Sequence, residues 1–296
     1  MTTPTPVWFI TASSSSFGHE IARIALERGH TVIATARNPS KIDDLAQLGA
    51  HTLAFDVTWP VAKIADVAND VYSKYGRVDY LINAAGFILD AAVEEVSPEE
   101  MYQSFNTNVF GIVNTIKSFL PGMRSQPVGP DGTRGTVVTF GSLGSWEGGA
   151  SYALYGMAKA SMSSLAESLA IELKPFNIVA TVVEPGYFRT NFLGGDAMVH
   201  TKHALAAYND ENTPTGQVRT ALKKIHQNQP GDVKKGCAVI VDILTKQGPA
   251  EGRQVPVRIV LGTDCDQTIR GKFKSTLAIL DEWKDLINST DHTTEQ

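Results

Sequence analysis

Short apolar runs alternate with amphipathic stretches along most of the chain. The runs fall at 7–11 (VWFIT), 31–36 (TVIATA), 51–55 (HTLAF), 78–84 (VDYLINA), 135–140 (GTVVTF), 178–184 (IVATVVE) and 255–261 (VPVRIVL). Most are continuous rather than alternating, so both faces of each are buried, which is the pattern of strands in a parallel sheet covered on both sides. Between them the apolar residues recur at helical spacing. Residues 17–28 carry Ile21, Ile24, Ala25 and Leu26 and stop at Gly29, and residues 60–75 stop at Gly76. Ser97, Pro98, Glu99 and Glu100 make a helix start, with a hydroxyl cap and a proline in the first turn, and a break is expected near Gly111. Residues 151–174 give another helix, closed by Pro175. This alternation predicts right-handed βαβ crossovers in an α/β fold: a Rossmann-type, doubly wound, seven-stranded parallel sheet with helices on both faces.

Two stretches depart from the pattern. Residues 124–135 (RSQPVGPDGTRG) are rich in Gly and Pro and predict an exposed loop. Residues 187–231 are mixed and polar, with no strand, and predict a substrate lid beside the sheet's carboxyl edge. No repeat or linker divides the chain. The expected organisation is one domain over 1–296: a dinucleotide-binding and catalytic core at 7–186, the lid at 187–231, C-terminal helices and a last strand at 232–288, and a frayed tail at 289–296.

Composition narrows the partners. A net charge of −5 leaves no basic excess for a phosphate backbone, so nucleic acid is not expected. Cys237 and Cys265 alone make no disulfide framework, and a reducing cytoplasm is the simpler setting. No run approaches the roughly 20 apolar residues of a membrane span. The opening MTTPTPVWFITA reads as a first strand and not a signal peptide.

Candidate chemistry sits at the ends of the runs. The stretch from Thr11 to Gly18, TASSSSFG, lies between the first strand and the first helix. A strand, a small-residue turn and a helix N-terminus form a phosphate cradle, because the amides and the helix dipole both favour anions. Such a turn is ordinarily built with three glycines; here Gly18 alone is one. Alanine at 12 is tolerable where its φ is negative. Serine at 16 is the harder replacement, since its Cβ crowds the phosphates, although its hydroxyl can donate to them. Further on, SYALYGMAKAS (151–161) places Tyr155 and Lys159 four apart, on one face of a helix. An ammonium beside a phenol favours phenolate and lowers the phenol's pKa, fitting it for proton exchange near neutral pH. Ser142 lies thirteen residues before Tyr155, at the end of TVVTFGS, where its hydroxyl can join the phenol on one substrate oxygen. Tyr152 has no lysine four residues on and is assigned to the pocket wall.

In this order the motifs resemble the classical short-chain dehydrogenase/reductase family over roughly residues 7–190. TASSSSFG stands where the family has T-G-x-x-x-G-x-G, FDVT (55–58) supplies Asp56, and NAAG (83–86) matches as it stands. NTNVFG matches N-V-x-G and brings in Asn108, and EPGYFRT (184–190) matches P-G-x-x-x-T. The resemblance implies hydride transfer between a nicotinamide and a carbonyl or alcohol carbon. Tyr155 is then the acid/base, Ser142 the oxygen anchor, Lys159 the pKa shifter and ribose ligand, and Asn108 the relay residue. Cofactor contacts are implied for Thr11, Ser13, Ser14, Ser16, Phe17, Gly18, Asp56, Val57, Asn83, Ala84, Gly86, Pro185, Gly186, Phe188 and Thr190, besides Tyr155 and Lys159. A homodimer or homotetramer through the helices around 98–122 and 151–174 is also implied.

The second strand ends TARN. An acidic residue there would bind a ribose 2′-hydroxyl and repel a 2′-phosphate; the chain has Ala36 and then Arg37, whose guanidinium pairs with phosphate. NADP(H) is therefore the expected cofactor. Phe87, Ile88, Leu143, Trp146, Tyr152, Tyr187, Phe188 and Phe192 cluster near strand ends and suggest a lipophilic, ring-bearing carbonyl or alcohol substrate, as in secondary metabolism. Reduction is the expected direction. Two other readings stay open: non-redox chemistry on the same scaffold, such as isomerisation, elimination or cyclisation, and a non-catalytic binding protein. His200 and His203 are three apart with no third ligand in view, so no metal is expected, and Cys265, flanked by aspartates, reads as structural.

Overall fold

A computed structural model describes residues 5–292. Nine strands form in chain order: β1 (Val7–Ile10), β2 (Thr31–Ala36), β3 (His51–Ala54), β4 (Tyr80–Asn83), β5 (Ile88–Asp90), β6 (Gly135–Phe140), β7 (Ile178–Pro185), β8 (Met198–His200) and β9 (Arg258–Leu261). Seven of them make one parallel sheet in the order β3-β2-β1-β4-β6-β7-β9, as the apolar runs require. The helices are α1 (Ser16–Glu27), α2 (Asp43–Gln47), α3 (Val61–Tyr75), α4 (Pro98–Phe105), α5 (Gly111–Ser125), α6 (Ala153–Glu172), α7 (Ala206–Asn209), α8 (Pro214–Ile225), α9 (Val233–Thr245), α10 (Thr263–Glu282) and α11 (Lys284–Asn288).

The sheet separates two cores, and β1 shows why its run has no polar positions. Trp8 and Ile10 point to one side, among Ile21 and Ile24 of α1 and Ile240 and Leu244 of α9. Phe9 points to the other, among Ile64 of α3 and Ile112 and Phe119 of α5, with ring centroids 5.4 Å from Phe55 and 4.5 Å from Phe119. Each such buried aromatic contributes about 2–3 kcal/mol.

Helix starts and stops follow local chemistry. Ser97 accepts the Glu100 amide and Glu100 accepts the Ser97 amide, a capping box that opens α4. Gly76 ends α3 at φ 74°, in the left-handed region. The expected break near Gly111 is a π-helical turn over Asn106–Phe110, so α4 and α5 continue as one rod with a local bulge.

Three expectations need correction. Residues 187–231, expected to hold no strand, contain one: β8 pairs in parallel with β5. Three-residue strands are too short to show periodicity, and their pairing is tertiary. Helix α5 runs to Ser125, over the first residues of the expected 124–135 loop. The last strand begins at Arg258 and not at 255. Beyond it, α10 and α11 leave Phe273, Leu277, Leu280, Trp283 and Leu286 exposed. Residues 289–292 follow α11, and 293–296 of the expected tail lie outside the described residues. Among the described residues, no helix is long and apolar enough to cross a membrane.

Candidate active site

The strand order reverses between β1 and β4, and the crevice at their carboxyl ends is where open parallel sheets take ligands. Thr11 follows β1 and is held to the end of β4: its amide donates to the Ile82 carbonyl at 2.9 Å, and its Oγ accepts the amides of Ala84 (2.9 Å) and Ala85 (3.3 Å). Ser13 is also committed inside the sheet. Its hydroxyl donates to the Ile10 carbonyl and accepts the Thr35 amide. Ser14 is exposed, and Ser15 and Ser16 open α1.

Helix α1 begins without a side-chain cap or an acidic residue in its first turn. Its first amides therefore keep their donors for an anion. Gly18 is required here, because a Cβ would stand 2.7 Å from the Ala12 carbonyl oxygen. The strained position in the turn is Ala12, at φ 52°, and not Ser16, which is helical. The condition under which alanine was tolerable is thus not met. Asn83 adds an orphaned acceptor: wholly buried, it donates to the Val138 carbonyl at 3.1 Å, while its Oδ1 has no partner. An uncapped helix end, a glycine-tight turn and an unpaired buried oxygen suit a dinucleotide. Asp56 accepts the amide and hydroxyl of Thr58 through Oδ1 beside β3, and Val57 is buried. Arg37, at the end of β2, is exposed and makes no ion pair among the described residues.

Asn108, Ser142, Tyr155 and Lys159 converge beside this cradle. Asn108 sits in the π-turn; its Oδ1 accepts the Phe87 amide at 3.1 Å, and its Nδ2 donates to the carbonyls of Phe87 (3.2 Å) and Ser104 (2.9 Å). Lys159 Nζ donates to the Phe140 carbonyl at 3.0 Å and lies 5.6 Å from the centroid of the Tyr155 ring. A Cβ on Gly86 would meet Asn108 Oδ1 at 2.7 Å and Lys159 Nζ at 3.2 Å, so those two groups close on the same glycine. Ser142 accepts the Gly144 amide at 3.1 Å, and a Cβ on Gly144 would meet Ser142 Oγ and the Tyr155 ring each at 3.7 Å, so the two side chains close on one glycine.

Burial decides the ionisation of this group. It pushes the Tyr155 phenol up to about 12, against a lowering contribution from Ser142, and Tyr187 raises it further. It brings the Lys159 ammonium down to about 8. Burial thus outweighs the lowering from Ser142, and the phenol lies above its ordinary value where the sequence led us to expect it below.

Of the expected wall, Tyr187 and Phe192 stand by Tyr155, with the Phe192 ring 6.1 Å away. Leu143 lies in the turn after Ser142, and Phe87 is fixed by Asn108. Tyr152 lies against Gly149. Ile88 is core, paired with Met198 across β5 and β8. The Phe188 ring packs on Phe17 at 5.4 Å, against the core on the α1 and α9 side of the sheet. Thr190 caps the next turn by accepting the Phe192 amide. Trp146 is anchored from behind: its Nε1 donates to Glu184 at 3.0 Å, Arg258 lies 4.6 Å over its ring, and Phe273 packs 5.5 Å away.

Sequence reasoning missed several supports. Asp264 accepts the Tyr187 amide at 2.6 Å and leaves no room for a Cβ at Gly186, so it shapes the Pro185–Tyr187 turn. Glu184, buried between Ser163, Trp146 and Arg258, also went unread. Neither carries a motif; their partners lie 21 to 77 residues away.

Residues 6–197 match the family described as short chain dehydrogenase, and the chain belongs to that family. Its members are oxidoreductases that act on a CH–OH or C=O group with a nicotinamide cofactor. Among relatives, the chain is 29% identical to Oxidoreductase BOA17 of Botryotinia fuckeliana, across 95% of this chain and 98% of that one. It is 30% identical to Oxidoreductase calM of Penicillium decumbens, across 94% and 91%. Among solved structures, a short-chain dehydrogenase from Streptomyces avermitilis superposes with a TM-score of 0.84 at 34% identity, covering 98% of this chain and all of that one.

Proposed function

We propose that this chain reduces the ketone of a lipophilic small molecule with NADPH, and runs the reverse oxidation less readily. The closing of Asn108 and Lys159 on Gly86, with the Tyr155 ring 5.6 Å from the Lys159 ammonium and Ser142 and Tyr155 together at Gly144, carries the reading. A bound nicotinamide supplies or accepts the hydride. Ser142 orients the substrate oxygen, and Tyr155 donates its proton to that oxygen. A phenol held near 12 is protonated at working pH, which suits the donor role and therefore reduction. Lys159 holds the cofactor ribose, with Asn108 as relay. Thr11, Ser14, Ser16, Phe17 and Gly18 take the pyrophosphate side, and Asp56, Asn83, Gly86 and Thr190 the remainder.

Arg37, exposed and without an ion pair among the described residues, favours the 2′-phosphate of NADP(H) over a bare ribose. Residues 187–231 act as the lid over a pocket of Leu143, Tyr187 and Phe192. Two buried, unpaired cysteines suit a reducing cytoplasm.

The test is oxidation of NADPH against a panel of lipophilic ketones, with Tyr155→Phe alongside. We expect turnover on at least one ketone, and a loss of about a thousandfold in kcat for the variant with NADPH affinity within about twofold. Near-wild-type turnover of Y155F would remove the assignment.

A further inference from the structure

A buried ionic cluster lies outside the proposed catalytic group, where residues 187–231 meet the two-stranded β5–β8 pair. Asp90, at the end of β5, and Glu95 are 3% and 1% exposed. Arg219, on lid helix α8, spans both: its Nε donates to Asp90 Oδ1 at 2.9 Å and its Nη2 to Glu95 Oε2 at 2.6 Å. Its Nη1 donates to Asn209 at 2.6 Å. His200 of β8 meets the other oxygen of Asp90 at 2.6 Å, and Glu95 also accepts the amides of Ala92 and Leu205. Burial alone would raise both carboxyls, yet hydrogen bonds from Ser151, Arg219 and His200 hold Asp90 below the usual range, and those from Arg219 and two amides do so for Glu95.

The cluster reaches the catalytic helix. Ser151 donates its hydroxyl to Asp90 Oδ1, the same oxygen Arg219 uses. Ser151 is buried at φ 73°, a conformation that a serine keeps only when its surroundings impose it. Its carbonyl accepts the Ala91 amide at 2.8 Å, and Tyr152 bridges to Ala91. Helix α6 begins at Ala153, two residues before Tyr155. At the other end of the same segment, Asn108 holds both backbone groups of Phe87. One short stretch, 87–95, thus ties the relay residue, the turn before Tyr155 and the lid.

We propose that Arg219 is a positioning residue: through Asp90 and Ser151 it makes docking of the lid and placement of the Tyr155 phenol a single event. The proposal rests on Tyr155 being the proton donor. A guanidinium can grip two carboxylates in one plane, which a lysine cannot. When α8 is seated, Asp90 is fixed and Ser151 is held in its left-handed turn, which sets the first turn of α6. When α8 lifts, Asp90 loses its cation and the Ser151 turn loses its brace.

The test is a double-mutant cycle of Arg219→Gln and Ser151→Ala, read as NADPH-dependent reduction of decalone, a bicyclic ketone. We expect R219Q to lower kcat about tenfold or more and S151A about threefold to tenfold, with NADPH affinity within about twofold for both. The double variant should be within about twofold of R219Q, because both act through one oxygen of Asp90. R219K should regain part of the loss. Losses that multiply, or a rise in the ketone KM with kcat intact, would overturn the proposal, since a merely loosened lid weakens binding alone. Should R219Q not fold, R219K takes its place in the cycle under the same criterion. Y155F is run beside it: an active Y155F removes the catalytic reading itself, whereas an inactive Y155F with multiplying losses removes only the coupling.

Discussion

Ala12 and Lys159 each occupy a position that their own chemistry resists. Ala12 sits at φ 52°, where a Cβ costs about 1 kcal/mol or more relative to glycine. The carbonyl it directs at Gly18 and the Ser15 amide explains why the turn is kept. We expect Ala12→Gly to raise unfolding stability by about 1 kcal/mol and to leave or tighten NADPH binding. Ser16→Gly, at an ordinary helical φ, should instead cost about 0.5–1 kcal/mol. Thermal melts of the two variants check this; a gain at 16 and a loss at 12 would reverse the assignment of strain.

Lys159 is brought down to about 8 by burial, so it is an ammonium below that pH and a neutral amine above it. Tyr155, near 12, stays protonated across the same window. Reduction should hold steady up to about pH 8 and fall above it as the ammonium is lost, a drop of roughly tenfold per pH unit at most. The pH profile of kcat/KM for decalone reduction measures this. A rate that climbs from pH 8 to 10 would contradict it.

At the scale of elements, legibility in the sequence tracked how local each cause was. The β1, β2 and β6 runs could be read because burial on both faces leaves continuous apolar residues, and Ser97–Glu100 because capping is a contact three residues long. Tyr155 and Lys159 were legible for the same reason, four residues apart on α6. Strands β5 and β8 were not, since ILD and MVH acquire strand geometry only by meeting each other. Glu95 and Arg219, 124 residues apart in sequence, became a pair only through that meeting. The φ of Ala12 was equally out of reach, because a turn's strain depends on what it must approach.

Gly111 shows a cause that was half visible. A break was expected there, but the glycine serves a close approach: a Cβ would lie 2.6 Å from the Val57 carbonyl oxygen, beside the π-turn that carries Asn108. Backbone cannot yield as a side-chain tip can. Gly111→Ala should therefore destabilise by about 1–3 kcal/mol. It should also lower kcat by displacing Asn108, and denaturant melts with single-turnover rates would separate the two effects. Unchanged stability would mean that β3 and α5 can part more easily than their packing implies.

Over the whole molecule, the apolar surface is uneven. Met101, Tyr102 and Phe110 along α4 and the π-turn, and Met157 on α6, are each 46–63% exposed, although two complete cores lie beneath. Between α5 and α6 runs an open groove lined by Val109, Val113, Met157 and Leu165. Large exposed side chains that group together need a cover, whereas scattered ones do not. We propose a second copy of the chain as that cover, because a two-fold axis would bring the same face of both molecules together. We expect the wild-type chain to weigh as a dimer or larger in light scattering. Phe110→Glu with Met157→Glu should halve that mass while circular dichroism stays unchanged, since each carboxylate would be buried without a partner in the pair. An unaltered mass in the double variant would place the contact on another surface, with the exposed side of α10 the next to be changed.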